Sequence, residues 1–306
     1  WGDNFYGQLG DGTYIAHTAA SPATQVSAAS AIVSGGESYC ATTVVGVLEC
    51  WGDDYYGQLG DGTTGTVSTP DTVDLPAGSV APGLGVGNSH ACAVLATGRL
   101  ACWGTNSDGE LGVAASAPTP VPALVPGLTG VIAASAGTGH TCAIVSNHDL
   151  YCWGANAFGQ LGDSTTTSRH LPAKVTLRAG VASVSAGYGE TCAILTDDSL
   201  WCWGSNGNGQ LGVNSVVNSS TPVQVTTLSA APTTVSVGWS YACATLVGGS
   251  AMCWGANTSG RLGDGTTTER RQPVAVGLAP GILATSITAG QYHTCARVAS
   301  GGARCW

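Results

Sequence analysis

The residues best suited to chemistry are twelve cysteines, which form six pairs. Nine residues lie between the two members of each pair. Such thiols can form disulfides, bind metal or stay free. The gap is not a zinc-ligand spacing, and the six histidines do not follow the pairs. The even count and complete pairing argue against free thiols. The predicted disulfides join Cys40 with Cys50, Cys92 with Cys102, Cys142 with Cys152, Cys192 with Cys202, Cys243 with Cys253, and Cys295 with Cys305. Disulfides indicate an oxidising compartment.

Three histidines, His90, His140 and His293, recur at one position before the first cysteine of a repeat. A ring of metal ligands or an acid–base histidine is conceivable there. A catalytic residue is usually singular, however, and a repeated histidine more often bonds a neighbouring structural unit. We therefore expect these side chains to be structural.

Aspartates also recur, in Gly-Asp-Gly/Ser-Thr turns at Asp11, Asp61, Asp163 and Asp264. Calcium needs six or more oxygens around one ion, whereas each turn offers one carboxylate. Asp53 and Asp54 are the only pair of adjacent acidic residues near one of these turns. Turn formation by aspartate is the simpler explanation, so no metal site is assigned.

Enzyme signatures are missing from the sequence. No nucleophile–base pair, Ser/His/Asp set or phosphate-binding glycine loop stands out, and the carboxylates are too regular to nominate a glycosidase pair. The sequence thus predicts a protein that is not an enzyme and has no cofactor.

The elements that carry these residues follow a repeat of 50 to 52 residues, marked by a tryptophan after each second cysteine. A period of this size is typical of solenoids, propellers or arrays. Short, valine-rich segments broken by 46 glycines and 13 prolines favour strands over helices. Each repeat divides into four short strands, which matches a propeller blade.

The cysteines also predict the register of the middle hairpin in each repeat. If Cys92 and Cys102 are directly opposed, the connecting loop is Ala96-Thr97-Gly98. Such three-residue loops commonly end in a left-handed residue, usually glycine. Glycine or another residue tolerant of positive φ stands at each equivalent position, namely Gly46, Gly98, His148, Asp198, Gly249 and Gly301.

The number of blades follows from the prolines. One proline lies near the predicted fourth strand of each repeat, and there are six such strands. We predict an all-β, six-bladed propeller of four-stranded blades, as a single domain over residues 1–306, with a six-blade ring favoured over a window on a longer array. The predicted repeats are residues 30–79, 80–130, 131–180, 181–232, 233–283, and 284–306 closed by 1–29. Closure by both chain ends would remove exposed strand edges.

Composition restricts the partners. Only 9% of residues are charged and the net charge is −9, with no basic stripe, so nucleic acid is a poor candidate. No apolar run approaches the roughly 20 residues that span a bilayer. No signal peptide precedes Trp1, so we expect a processed or trimmed form. Low charge and disulfides favour a secreted or cell-surface protein.

Two motifs resemble the regulator of chromosome condensation repeat family. One is Gly-x-x-His-Thr/Ala-x-Ala, as in Gly137–Ala143, and the other is Trp-Gly-x-Asn-x-x-Gly-Gln-Leu-Gly, as in Trp153–Gly162. The histidine position drifts to Ser38, Glu190 and Tyr241. The resemblance covers the whole chain, implies a β-propeller, and is nearest to secreted bacterial members. The founding members of that family are guanine nucleotide exchange factors that also contact chromatin. The acidic composition of this chain argues against such a role.

Positions that vary between repeats are the best candidates for function. They lie just before the histidine position and just after Trp-Gly, and they carry aromatic residues, which are common interface anchors. The candidate binding residues are Tyr55, Tyr56, Phe158, Tyr188, Trp239 and Tyr292. The plainer alternative is that these rings shield adjacent hairpins.

Three hypotheses follow for the function. The first is a secreted or surface module that binds another protein through these loops, as an inhibitor, adhesin or display module. The second is a structural subunit that self-assembles into an extracellular filament or surface layer. The third, less favoured, is a glycan-acting enzyme.

Overall fold

The computed structural model describes residues 1–24, 26, 28–76 and 83–306. The regular elements in this part of the chain are β-strands, arranged in six antiparallel sheets. The sheets are the blades of a six-bladed β-propeller, which confirms the predicted fold. The predicted boundary between residues 79 and 80 lies outside the described residues.

The strands follow one another in sequence order across each sheet. The strands of blades 1 to 3 are β1 (Ala29–Gly35), β2 (Ser38–Thr43), β3 (Leu48–Gly52), β4 (Val67–Thr72), β5 (Gly83–Val86), β6 (His90–Val94), β7 (Leu100–Gly104), β8 (Thr119–Leu124), β9 (Val131–Ala136), β10 (His140–Val145), β11 (Leu150–Gly154) and β12 (Arg169–Lys174).

Blades 4 and 5 repeat this order, and blade 6 has three strands among the described residues. The strands of blades 4 to 6 are β13 (Val181–Ala186), β14 (Glu190–Leu195), β15 (Leu200–Gly204), β16 (Ser219–Val225), β17 (Pro232–Val237), β18 (Tyr241–Leu246), β19 (Ala251–Gly255), β20 (Arg270–Ala275), β21 (Ala284–Ala289), β22 (Thr294–Val298) and β23 (Ala303–Cys305). Closure of blade 6 by residues 1–29 stays a prediction.

The middle hairpins have the register that the cysteines predicted. Cys92 opposes Cys102, with a Cα–Cα distance of 4.0 Å and a disulfide between them. The loop residues that follow the second strand are left-handed, with φ of 71° at Gly98, 66° at His148 and 61° at Asp198. The cysteines thus fix both the pairing of the two strands and the conformation of the loop between them.

The same opposition of cysteines recurs in the other blades. Cys40 opposes Cys50 on β2 and β3, and their disulfide has a Cα–Cα distance of 4.1 Å. Cys243 opposes Cys253 on β18 and β19, and their disulfide has a Cα–Cα distance of 4.0 Å. Every cysteine is described and disulfide-bonded, with one disulfide per blade. The six predicted disulfides are therefore confirmed.

The repeated tryptophans join consecutive repeats through their indole N–H groups. Trp203 donates to the main-chain oxygen of Gln160 at 2.8 Å, and Trp254 donates to that of Gln210 at 2.8 Å. The same bond recurs at Trp51, Trp103, Trp153 and Trp306. The segment after each Trp-Gly is thereby held against the blade that follows, which positions its variable residues.

The chain divides into two compact units. The first comprises Trp1–Ser146, Trp153–Ala155 and Ser168–Pro172, and the second comprises Asn147–Cys152, Asn156–Thr167 and Ala173–Trp306. In the first unit, a core that includes Leu48, Val86 and Trp103 lies between blades 1 and 2. In the second, one core includes Ile194, Val237 and Trp254, and another includes Leu262, Ala284 and Ile287.

Candidate functional site

Three equivalent loops in the second unit each carry an aromatic residue just before the second strand of a blade. Tyr188 precedes β14, Trp239 precedes β18 and Tyr292 precedes β22. The loops approach each other closely because glycine comes before each aromatic segment. A Cβ added at Gly238 would lie 2.5 Å from the main-chain oxygen of Gly290. No larger residue fits there without moving the backbone.

The three rings form a continuous stack, which we call the aromatic ladder (Tyr188, Trp239 and Tyr292). The Tyr188 and Trp239 centroids are 4.9 Å apart with an 11° interplanar angle. The Trp239 and Tyr292 centroids are 6.1 Å apart with a 21° angle. The three residues are 40%, 39% and 55% exposed, so part of each remains in contact with solvent. Offset stacking contributes about 0.5–1.5 kcal/mol per pair and limits ring motion.

A buried arginine holds two of these loops together. The Arg261 guanidinium donates to the main-chain oxygens of Gln291 at 2.8 Å and Trp239 at 3.3 Å, and to Thr258 Oγ1 at 3.1 Å. Its central carbon lies 5.2 Å from the Tyr292 ring centroid, within cation–π range. Arg261 therefore links the main chains of the two loops that carry Trp239 and Tyr292.

Glu190 connects the main chains of the two loops at the other end of the ladder. Its carboxyl group accepts a hydrogen bond from the Gly189 main-chain N–H at 3.1 Å and another from that of Ser240. Burial raises the pKa of Glu190 to about 8, because the charged form has lost its hydration. A neutral Glu190 thus contacts the backbone beside Tyr188 and Trp239.

The remaining predicted residues are placed differently. A Cβ added at Gly189 would lie 2.8 Å from Phe158 Cδ2, so the Phe158 ring packs beside the loop that carries Tyr188. In the first unit, Tyr55 and Tyr56 form an edge-to-face pair at 4.9 Å, and Phe5 and Tyr6 repeat this pair at 5.0 Å. Repetition of that pair favours a local packing role.

Two of the repeated histidines are buried and neutral. Burial lowers the pKa of His90 to about 4 and that of His140 to about 3. His90 Nε2 lies 2.8 Å from Thr141 Oγ1 in the following blade, and Thr141 donates to the Glu110 main-chain oxygen. This contact confirms the expected structural role for His90. His293, in contrast, is exposed.

Sequence reasoning missed Arg261. Its position is glutamine in four of the six repeats, at Gln8, Gln58, Gln160 and Gln210, and glutamate at Glu110. Gln210 uses its side-chain oxygen to accept the Asn208 main-chain N–H at 2.8 Å, a contact that arginine cannot make because it has no acceptor. The departure from the motif was visible, but its partners were not.

Arg261→Gln is expected to preserve the propeller and loosen the ladder. The substitution restores the residue used in other repeats but removes the three hydrogen bonds that the charged guanidinium donates, at a cost of about 2 kcal/mol or more in unfolding free energy. Near-ultraviolet circular dichroism should lose intensity while the far-ultraviolet spectrum is unchanged. An unaltered near-ultraviolet spectrum would show that Arg261 does not position the rings.

The sequence matches the model of a known protein family. The sequence model of the RCC1-like domain family matches residues 1–306. The chain belongs to the RCC1-like domain family. RCC1-like propellers are a type of protein-interaction module. No curated protein sequence matches this RCC1-like chain.

Solved structures share the RCC1-like fold at low sequence identity. Human WBSCR16 has a TM-score of 0.83 and 20% identity, over 92% of this chain and 77% of that one. Yeast RCC1 (Prp20), in its crystal structure with Kap60, has a TM-score of 0.79 and 21% identity, over 90% and 69%. The CRINKLY WD40 ectodomain of the Arabidopsis thaliana receptor kinase ACR4 has a TM-score of 0.57 and 17% identity, over 91% and 79%.

Proposed function

We propose that this RCC1-like propeller is a secreted or cell-surface module that binds another protein through the aromatic ladder. The observation that carries the proposal is the stack of three partly exposed aromatic residues, whose loops are joined by hydrogen bonds to Arg261 and Glu190. Rigid aromatic edges provide contact area at little cost in side-chain entropy, and Tyr and Trp dominate binding hot spots.

The disulfides bear on the location of the protein. Ten of the cysteines, those of the first five blades, are fully buried. Persistent disulfides are typical of oxidising compartments. An ectodomain is among the structures with this fold. Among the described residues, none lies in a helix long and apolar enough to cross a membrane. The disulfides and the ectodomain fold support the extracellular part of the proposal.

The double substitution Tyr188→Ala/Trp239→Ala is expected to weaken partner binding at least tenfold. It removes two stacked anchors, and loss of one hot-spot residue commonly costs about 2 kcal/mol or more. The immobilised wild type captures the partner from the extracellular fraction of its source. The affinity of the purified partner is then measured for wild type and variant.

The matched control is Val247→Ala. Val247 is 60% exposed and follows the end of β18, whereas Trp239 precedes its start, so the two lie at opposite ends of that strand. Partner affinity should survive this change. Equal capture by wild type and the double variant would place binding elsewhere. Light scattering of the purified wild type tests the self-assembly alternative, for which large particles would form without a partner.

A further inference from the structure

After five of the six Trp-Gly pairs, an asparagine two residues beyond the glycine organises the turn that follows. Asn156 shows the arrangement: its Nδ2 lies 3.2 Å from Asp163 Oδ1, Thr165 Oγ1 and the Thr165 main-chain oxygen. Its Oδ1 accepts the Leu161 N–H at 3.0 Å. Asn4 and Asn257 make the same contacts. One amide group thus donates to a pocket that contains only acceptors.

The repeat of blade 1 has Asp54 at this position instead of asparagine. Asp54 Oδ1 accepts the Leu59 N–H at 2.8 Å, the contact that asparagine Oδ1 makes elsewhere. Its Oδ2 therefore stands where the amide donor would be. Thr63 retains the usual turn, with its N–H and Oγ1 donating to Asp61 Oδ1 at 2.8 and 2.9 Å. The acceptors remain, but their donor is gone.

Burial makes this exchange costly. Asp54 is fully buried, and its Oδ2 has no hydrogen-bond partner. A buried carboxylate oxygen that faces other oxygens needs a proton or a cation. Asp53 belongs to a different network, since its Oδ2 accepts the Gln58 amide at 2.8 Å. The unpartnered oxygen thus belongs to Asp54 and not to the acidic pair as a whole.

The same repeat has also lost a basic residue. Asp11 pairs with His17 at 2.8 Å, and Asp264 pairs with Arg270 at 2.7 Å, each six residues later in the chain. The residue six positions after Asp61 is Val67. Within the described residues, Asp61 has no ion pair. This repeat therefore has an additional carboxyl group, that of Asp54, and lacks the basic side chain that neutralises the turn aspartate in other repeats.

We propose that Asp54 and Asp61 bind a calcium ion together with Thr63. Calcium is bound by carboxylate, carbonyl and water oxygens at about 2.3–2.6 Å, and Thr63 supplies a main-chain carbonyl oxygen. Two oxygens that bind the same calcium ion at right angles lie about 3.3–3.7 Å apart. In the repeat that carries Asn4, the amide nitrogen lies 3.0–3.4 Å from the acceptor oxygens of the turn. Because Asp54 Oδ2 takes the place of that nitrogen, its distances to the turn oxygens are close to those of a shared ion. The exposed segment beyond Asp61 leaves room for water to complete the coordination.

Protons compete with the ion for this position. Burial raises the pKa of Asp54 to about 7, and the charges of Asp61 and Asp53 add to the effect. In this repeat the Gly65 N–H donates to the Asp54 main-chain oxygen at 3.1 Å. Gly65 has a φ of 136°, so this turn depends on glycine.

Calorimetry of the chelator-treated full chain with calcium chloride at pH 8 tests the proposal. Wild type should bind one calcium ion with a Kd on the order of 10⁻⁴ to 10⁻³ M, the range of extracellular modules. Its melting temperature should rise by several degrees at saturation. Asp54→Asn installs the residue of the other repeats, so it should fold normally, show no binding heat and melt at the same temperature with or without calcium.

Val67→Arg provides a second test by a different route. It supplies a tethered cation at the position occupied by His17 and Arg270 in other repeats, so it too should abolish the response to calcium. The proposal fails if wild type shows neither binding heat nor a melting shift in millimolar calcium, which would mean that Asp54 retains a proton. It also fails if Asp54→Asn binds calcium as wild type does.

Discussion

Trp203→Ala is expected to lower the free energy of unfolding by about 3–5 kcal/mol, the usual cost of truncating a buried tryptophan. Trp203 is fully buried, and its indole N–H bonds the Gln160 main-chain oxygen at 2.8 Å. The substitution leaves a cavity and an acceptor without its donor. Because that bond joins consecutive repeats, the loss should also disturb the segment that carries Phe158.

The matched control is Trp201→Ala, on the same strand. Trp201 is only partly buried, and its indole N–H bonds Ser199 Oγ within its own hairpin. Its removal should cost about 1 kcal/mol. Urea denaturation followed by circular dichroism measures both variants, with the disulfides kept oxidised. Equal losses in the two variants would contradict the view that the motif tryptophans hold the repeats together.

Glu190→Gln is expected to make the free energy of unfolding less sensitive to pH. The folded-state pKa of about 8 lies above the ordinary 4.5, so the folded protein retains a proton that the unfolded chain releases. Wild-type stability therefore falls as pH rises from about 4.5 to about 8. The difference in favour of the glutamine variant should grow by about 5 kcal/mol across this window.

The comparison isolates Glu190 because the other titrating groups are common to both proteins. His90 and His140 act in the opposite direction, since their lowered pKa values make stability fall as pH drops below 6.5. Asp197→Asn is the matched control on the same blade. The Ser199 hydroxyl lowers the pKa of Asp197, so wild type should lose stability relative to that variant only at acidic pH. A Glu190→Gln difference that stays constant from pH 5 to 9 would contradict the prediction.

Most of the blade architecture could be predicted because its determinants are local. Cys92 and Cys102 are ten residues apart, and a tight loop between directly opposed strands leaves one register for them. The same reasoning identified the left-handed residues His148 and Asp198. It did not identify the bulges where β15 meets β16, between Cys202 and Gly204, because those depend on how the fourth strand is reached.

The candidate site could be predicted only in part. Tyr188, Trp239 and Tyr292 were recognised as variable and aromatic, but Tyr55 and Tyr56 carried the same signal. The structure separates the two groups, since only the former stack across different repeats. Sequence variability says which residues are free to differ, and contact geometry says which of them act together.

The amino-acid sequence by itself determined the repeat, the disulfides and the hairpins, since each arises from residues close along the chain. Only the tertiary structure decided which residues meet between repeats about 50 positions apart. It brought Arg261 to the backbones of Trp239 and Gln291, and it left Asp54 Oδ2 buried without a partner. Burial and the choice of hydrogen-bond partner depend on the packing of neighbouring blades, and a pattern read along one chain does not contain them.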